Sequence, residues 1–358
     1  MSLRDDIKER ISLEVINILV TRFETFPEDA SNNRNAPFHE AFLKAFKFKL
    51  EDKVNDIPFF ISLSSWLQGL NTTLGQVFFE NVAHHLSHGE KREYTSKKLG
   101  NLKIHKQQKD IINNIITDLS TSSKTPNITE ENILLFIKGT NNLVDAIDFS
   151  VDVFIEDDNN ITAIELKSVK PNSGEMRGEK QKILEGKAAL YKKYSNKNIQ
   201  FFIGFPFDPT SDQKTTHDKT RFLDSIINMT KYFDPEETLI ASELWDLLSG
   251  TKNTMEEILE IINTISTVEF MTKYRFINES TNIYKDEYKS ILKEWNLFSE
   301  LELAKNIEIV KKRVGQDKAL VRTLNQKAFK SNGVYNIDRY DKLVGLIEKK
   351  RTKVILFI

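Results

Sequence analysis

Asp152, Glu165 and Lys167 are the side chains whose types and spacing most clearly suggest chemistry in this sequence. Asp152 lies in the apolar run Ala146–Ile155, and Glu165-Leu166-Lys167 ends a second run that begins at Ile161. Asp157-Asp158-Asn159-Asn160 between them is a turn signal, because Asp and Asn side chains bond the local backbone. If this turn closes an antiparallel hairpin, Glu156 pairs with Ile161 and Asp152 falls opposite Glu165. Directly opposed side chains have Cβ atoms about 4.5–5.5 Å apart. Two carboxylates that close repel unless a cation lies between them. A hard, oxygen-preferring ion such as Mg²⁺ fits the pair. Strand alternation puts Lys167 on the same face as Glu165. Carboxylates that hold a metal, beside an ammonium that orients water, suit phosphodiester hydrolysis.

Glu-x-Lys alone is a weak signal, since Glu51-Asp52-Lys53, Glu287-Tyr288-Lys289 and Glu348-Lys349-Lys350 share it. Only Glu165-Leu166-Lys167 ends an apolar strand opposite an Asp. The bland alternative is a set of surface pairs on a half-exposed hairpin.

The elements that must position these residues follow from periodicity. Leu3, Ile7, Ile11, Val15, Ile18, Leu19 and Phe23 recur at helical spacing, and Pro27 ends the pattern. Further helices are expected over 70–86, 107–119 and 175–194. Leu134–Ile137 is a short apolar run, and Ile199–Phe205 reads as a strand closed by Pro206. The succession of strand, hairpin, helix and strand predicts a mixed α/β core over 130–210. A mainly helical region, 1–129, precedes it, with a core helix near 74–88. A second, 211–358, follows, with helices over 221–232, 236–248, 255–265 and within 283–330. Val354–Ile358 reads as a terminal strand or an apolar tail.

Composition narrows the function classes. The chain has 358 residues, 51 basic and 52 acidic side chains and no cysteine, which excludes disulfides, thiolate nucleophiles and sulfur-ligated zinc. No signal peptide or membrane span is visible, and a cytoplasmic location is expected. The near-neutral total hides local patches. Residues 121–160 hold eight acids and two lysines, whereas 167–197 hold nine basic residues and three acids. Seven basic and two acidic residues fall in 91–110, and 14 basic and six acidic in 301–358. An acidic pocket beside a basic helix suits a metal-dependent enzyme acting on a polyanion. The segment 236–270, with eight acids and one lysine, is a poor surface for DNA.

Val151-Asp152 with Glu165-Leu166-Lys167 resembles the Asp…Glu-x-Lys signature of the PD-(D/E)xK restriction-endonuclease-like superfamily. The stretch Lys170-Pro171-Asn172-Ser173-Gly174-Glu175-Met176-Arg177-Gly178-Glu179-Lys180-Gln181-Lys182-Ile183-Leu184-Glu185, with the apolar strand at 199–205 and the segment Glu243–Gly250, is similar to type II restriction endonucleases of the TdeIII kind. The resemblance implies an α/β fold with a restriction-endonuclease-like mixed sheet core, 130–210 being the catalytic part and 211–358 a DNA-recognition or dimerisation part. It implies Mg²⁺-dependent cutting of both strands of a short palindrome in double-stranded DNA, expected to be GGNCC. It further implies a homodimer and a cognate DNA methyltransferase as functional partner. Asp152 and Glu165 fall on its metal ligands, with a strand carbonyl such as Leu166, and Lys167 on its catalytic lysine. Val151 replaces the superfamily's common Pro.

Other residues have a sharp and a bland reading. The superfamily often contributes an acid from a helix before the core, which Glu80 matches; otherwise it is an exposed helix residue. Asp148 is the rival to Asp152. Lys170, Arg177, Lys180 and Lys182 are candidates for DNA phosphates, or else solvated helix charges. His84, His85 and His88 suggest zinc by spacing, but without an acidic third ligand nearby a surface helix end is expected. A structure-selective repair or mobile-element nuclease, and a non-catalytic DNA-binding protein of the same fold, are the alternative functions.

Overall fold

A computed structural model describes residues 2–29, 37–46, 50, 54, 56–137, 142–167 and 175–348. The chain divides into two compact units, one formed by Met1–Leu3 and Phe79–Glu257, the other by Arg4–Phe78 and Ile258–Ile358.

The first unit is built on a five-stranded mixed sheet. Its strands are β1 (Glu90–Tyr94), β4 (Phe149–Glu156), β5 (Asn160–Leu166), β6 (Asn198–Phe205) and β7 (Thr238–Ile240), in that spatial order. β2 (Lys103–His105) and β3 (Leu143–Asp145) form a separate two-stranded ribbon. The β4–β5 hairpin has the expected register: Glu156 faces Ile161 and Val153 faces Ile164. Its turn is closed by Asp157, whose Oδ1 accepts from the amides of Asn159 and Asn160, both at 2.8 Å. β5 and β6 run parallel, which needs a long crossover. The helix Glu175–Lys193 forms part of that crossover. It packs closely on the sheet: a Cβ at Gly186 would lie 2.8 Å from the Phe201 ring. Ile164 and Leu244, from the helix Ser242–Ser249, meet over Gly204.

Several elements depart from the periodicity. Glu90-Lys91-Arg92-Glu93-Tyr94 has almost no apolar signal, yet pairing with β4 makes it a strand. The apolar run Leu134–Ile137 is not a strand: its first two residues end a helix, Ile128–Leu135, which is capped by the Asn127 side chain. The helix expected over 236–248 begins only at Ser242; a short 3-10 turn and β7 precede it. The helix expected over 70–86 is two helices, Ile57–Thr73 and Phe79–Ser87, joined by a π-helical segment at Leu74–Phe78.

The second unit is helical. The helix Asp5–Glu24 spans the first predicted element. Phe270 stacks on Phe23, Tyr274 and Trp295, and the buried Arg339–Glu300 pair is joined by hydroxyls of Tyr288 and Tyr335. Among the described residues no helix is long and apolar enough to cross a membrane. Val354–Ile358 lie outside the described residues.

Candidate active site

The hairpin's open end brings the predicted residues together. The ladder stops at Val153 and Ile164, so the next positions on the two strands are Asp152 and Glu165. There the Leu166 amide donates to Asp152 Oδ2 at 2.9 Å. The β1–β4 register also slips here, Glu90 facing Phe154 and Arg92 facing Val151, so the extra residue on β4 is Asp152 or Val153. Such a bulge bends a strand and re-aims a side chain. His84, on the helix Phe79–Ser87, fixes the same backbone: its Nε2 lies 2.7 Å from the Asp152 carbonyl. A carbonyl can only accept, so Nε2 carries the proton. His84 thus braces the strand, half-buried, rather than marking a surface helix end.

Four carboxylates and three ammonium groups gather in two ion-paired sets, Glu80–Lys91–Asp152 and Glu165–Lys167–Glu179–Lys182, which meet through the charges of Asp152 and Glu165. Lys91 Nζ lies 2.9 Å from Glu80 Oε2 and 3.3 Å from Asp152 Oδ1. Glu165 Oε1 accepts from Lys182 at 2.7 Å and Lys167 at 3.3 Å. Glu179 completes the second set, 3.1 Å from Lys167 and 3.6 Å from Lys182. One negative charge is left over. Burial pushes the Glu165 carboxyl above its ordinary range and the Asp152 charge adds to that, against the pull of Lys182 and Lys167. Burial opposes the charge on Lys167, but Glu165 and Glu179 outweigh it and hold the ammonium above its ordinary value. Burial likewise opposes the charge on Lys91, which Glu80 and Asp152 overcome. Lys167 is therefore a proton-bearing cation at neutral pH, suited to electrostatic work rather than to accepting a proton.

A divalent ion fits these donors. Glu165 Oε2 is buried without a hydrogen-bond partner, an arrangement that is costly for a carboxylate unless a cation joins it. Among the described residues no three His, Asp or Glu side chains gather as a metal-binding set. Mg²⁺ commonly binds through one or two carboxylates, keeping waters and substrate phosphates as its other ligands. Asp152 and Glu165 are the two carboxylates here that would hold such an ion.

The remaining predicted residues are placed differently. Glu80 is joined to Asp152 through Lys91. Asp148 is exposed, before β4, and takes its hydrogen bond from Asn101. Lys180, expected among the phosphate-binding cations, is fully buried and bonded to Glu131 and Glu237, both at 2.6 Å, so no phosphate reaches it. Lys182 is held by Glu165 and Glu179. Arg177 is exposed, and Lys170 lies outside the described residues. Sequence reasoning missed Lys91 and Glu179 as partners. Lys91 had a signal only in the basic composition of 91–110, and Glu179 only in its nearness to the Glu-x-Lys strand.

A central mixed sheet with helical regions before and after it in the chain is the architecture of restriction-endonuclease-like folds. A family model described as type II restriction endonuclease, HinfI, matches residues 3–266. The chain is 42% identical, over 376 aligned positions, to the type II restriction enzyme MjaII of Methanocaldococcus jannaschii, covering 99% of this chain and 100% of that protein. The chain belongs to the HinfI family of type II restriction endonucleases. The motif resemblance to the TdeIII kind agrees with this at the level of type II restriction endonucleases, and the family matched carries the HinfI name.

Proposed function

We propose that this chain is a Mg²⁺-dependent endonuclease that cuts both strands of a short palindrome in double-stranded DNA, leaving 5′-phosphate and 3′-hydroxyl ends. The observation that carries the reading is Glu165, a buried carboxylate with a partnerless oxygen opposite Asp152 and beside Lys167. Asp152, Glu165 and the Leu166 carbonyl would hold the ion. Bound there, Mg²⁺ supplies Lewis-acid stabilisation of phosphate charge and a more acidic water.

The chain's own groups do the rest. Lys167, kept charged by Glu165 and Glu179, orients the attacking water and offsets charge gathering on the phosphate oxygens. The water oxygen bonds to phosphorus as the bond to the 3′ oxygen breaks in line; the water's proton goes to solvent and the 3′ oxygen leaves protonated. Glu80 acts at one remove, holding Lys91 against Asp152.

The site expected from the TdeIII-like resemblance is GGNCC. Two copies related by a two-fold axis suit a palindrome, one site per strand. A cytoplasmic enzyme of this kind works beside a methyltransferase that protects host DNA. Incubating unmethylated plasmid with Mg²⁺, or with EDTA, and sequencing the ends tests the reading. Discrete ends within GGNCC that need Mg²⁺ support it. Cutting confined to branched or damaged DNA makes the chain a repair or mobile-element nuclease, and binding without cutting removes the catalytic assignment.

A further inference from the structure

The helix after the catalytic strand cannot supply most of the expected phosphate contacts, since Lys180 is buried and Lys182 is neutralised. We propose that the DNA backbone beside the scissile phosphate lies instead in a concave basic surface formed by β1, the turn after it and Lys193. The inference rests on the nuclease reading above and names where that substrate is held.

A cavity of about 770 Å³ opens at this place, within the range of ligand clefts. Its lining carries Lys91, Arg92, Lys97, Lys98 and Lys193 against only Glu90 and Glu93. Which of these cations can meet a phosphate follows from their partners. Arg92 is bound to Glu90 at 2.7 Å and to the Tyr194 hydroxyl at 2.7 Å, with its guanidinium 3.7 Å from the Phe154 ring centre. Lys98 has Glu93 at 3.6 Å, a loose pair of exposed groups worth little in water. Lys97 and Lys193 are exposed and have no carboxylate partner among the described residues. Lys193 is held over the rings of Tyr94 and Tyr194, 5.0 and 5.4 Å from their centres, an arrangement that positions an ammonium without neutralising it.

The surface is also pre-shaped. The amides of Lys98 and Gly100 both donate to the Thr95 carbonyl, and Leu99 donates to Glu93, so the turn is held by its own backbone. Gly100 has a φ of +83°, which favours glycine at this position. A turn that is already ordered loses little freedom when it binds. Lys91 joins this surface to the site: it lines the cavity while its Nζ lies 3.3 Å from Asp152. A strand whose backbone follows the cavity is thereby led to the carboxylates.

The test is equilibrium binding of a fluorescent duplex lacking GGNCC, and of one containing it, to the full chain in EDTA over a series of salt concentrations. Lys97→Ala with Lys193→Ala should weaken binding to both duplexes about tenfold at low salt and reduce the salt slope by about 1–2, one per lost phosphate. Lys97→Arg with Lys193→Arg should keep wild-type binding, and Lys252→Ala, a single cation in the acidic segment, should change nothing. Thermal melting excludes a folding defect; were the alanine pair to melt early, Lys97→Glu alone carries the test, with a larger loss. Wild-type affinity and slope in these variants would overturn the inference and leave the nuclease reading standing. No binding of either duplex by wild-type protein would overturn the nuclease reading itself.

Discussion

The helix Glu175–Lys193 faces two ionic clusters that differ in kind. In one, Lys180 and Lys187 meet Glu131 and Glu237: charges balance, all four side chains are buried, and Glu237 accepts from both lysines at 2.6 and 3.1 Å. Burial works against the Glu237 charge, yet Lys187 and Lys180 hold its carboxyl below the ordinary value. In the other, Glu179 and Lys182 join Glu165, Lys167, Asp152, Lys91 and Glu80; one carboxylate is in excess and Glu165 is pushed upward. In the balanced cluster one Glu131 oxygen also lacks a hydrogen-bond partner and burial raises that carboxyl, but both carboxylates are already matched by lysines and no net charge is left for a divalent ion. A cluster one cation short, partly open to water, is under electrostatic strain that a divalent ion would relieve. Lys180 and Lys182, two residues apart, fall on opposite sides of this division.

Breaking the unbalanced cluster should cost activity and not stability. Asp152→Ala or Glu165→Ala is expected to abolish Mg²⁺-dependent cleavage, with circular dichroism and DNA binding preserved. Retained cutting in either variant would remove these residues from the site. Breaking the balanced cluster should do the reverse. Lys180→Met leaves two buried carboxylates short of a cation and should cost about 3–5 kcal/mol in urea unfolding. The folded fraction should still cleave at the wild-type rate.

Lys167→Met sharpens the contrast, since its ammonium is assigned to the transition state. Single-turnover cleavage at saturating protein should fall about 10²–10³-fold, with equilibrium DNA binding nearly unchanged. If saturation restored the rate, Lys167 would be a phosphate anchor. The smallest effect is expected from Glu165→Gln in the metal-free protein. A carboxyl whose folded pKa is raised loses stability as pH climbs from its ordinary value through the raised one. The variant should therefore melt slightly above wild type at pH 8, and the two should converge in acid, where both side chains are neutral. Added Mg²⁺ should raise the wild-type melting temperature and leave that of the variant where it was.

Local information made the hairpin readable. Asp157 and Asn160 mark the turn, and strand alternation then fixes Asp152 opposite Glu165, because both rules act over a few residues. The long helix and the strand Asn198–Phe205 were equally legible from their own periodicity. β1 was not: a polar pentapeptide becomes a strand only through pairing with β4, more than fifty residues later. Nor was the fate of each lysine. Lys170 to Lys182 look alike as a basic stretch, and composition assigns them all to DNA.

The sequence by itself determined the mixed α/β class, the register of the carboxylates and the Glu-x-Lys end of the strand, because these depend on turn chemistry and a period of two. Tertiary structure decided which charges are spent. Glu131 and Glu237 approach Lys180 from 49 and 57 residues away, and Glu80 reaches Asp152 through a lysine on another strand. A charge is defined by whichever opposite charge the folded chain brings within a few ångströms, and no local pattern records that.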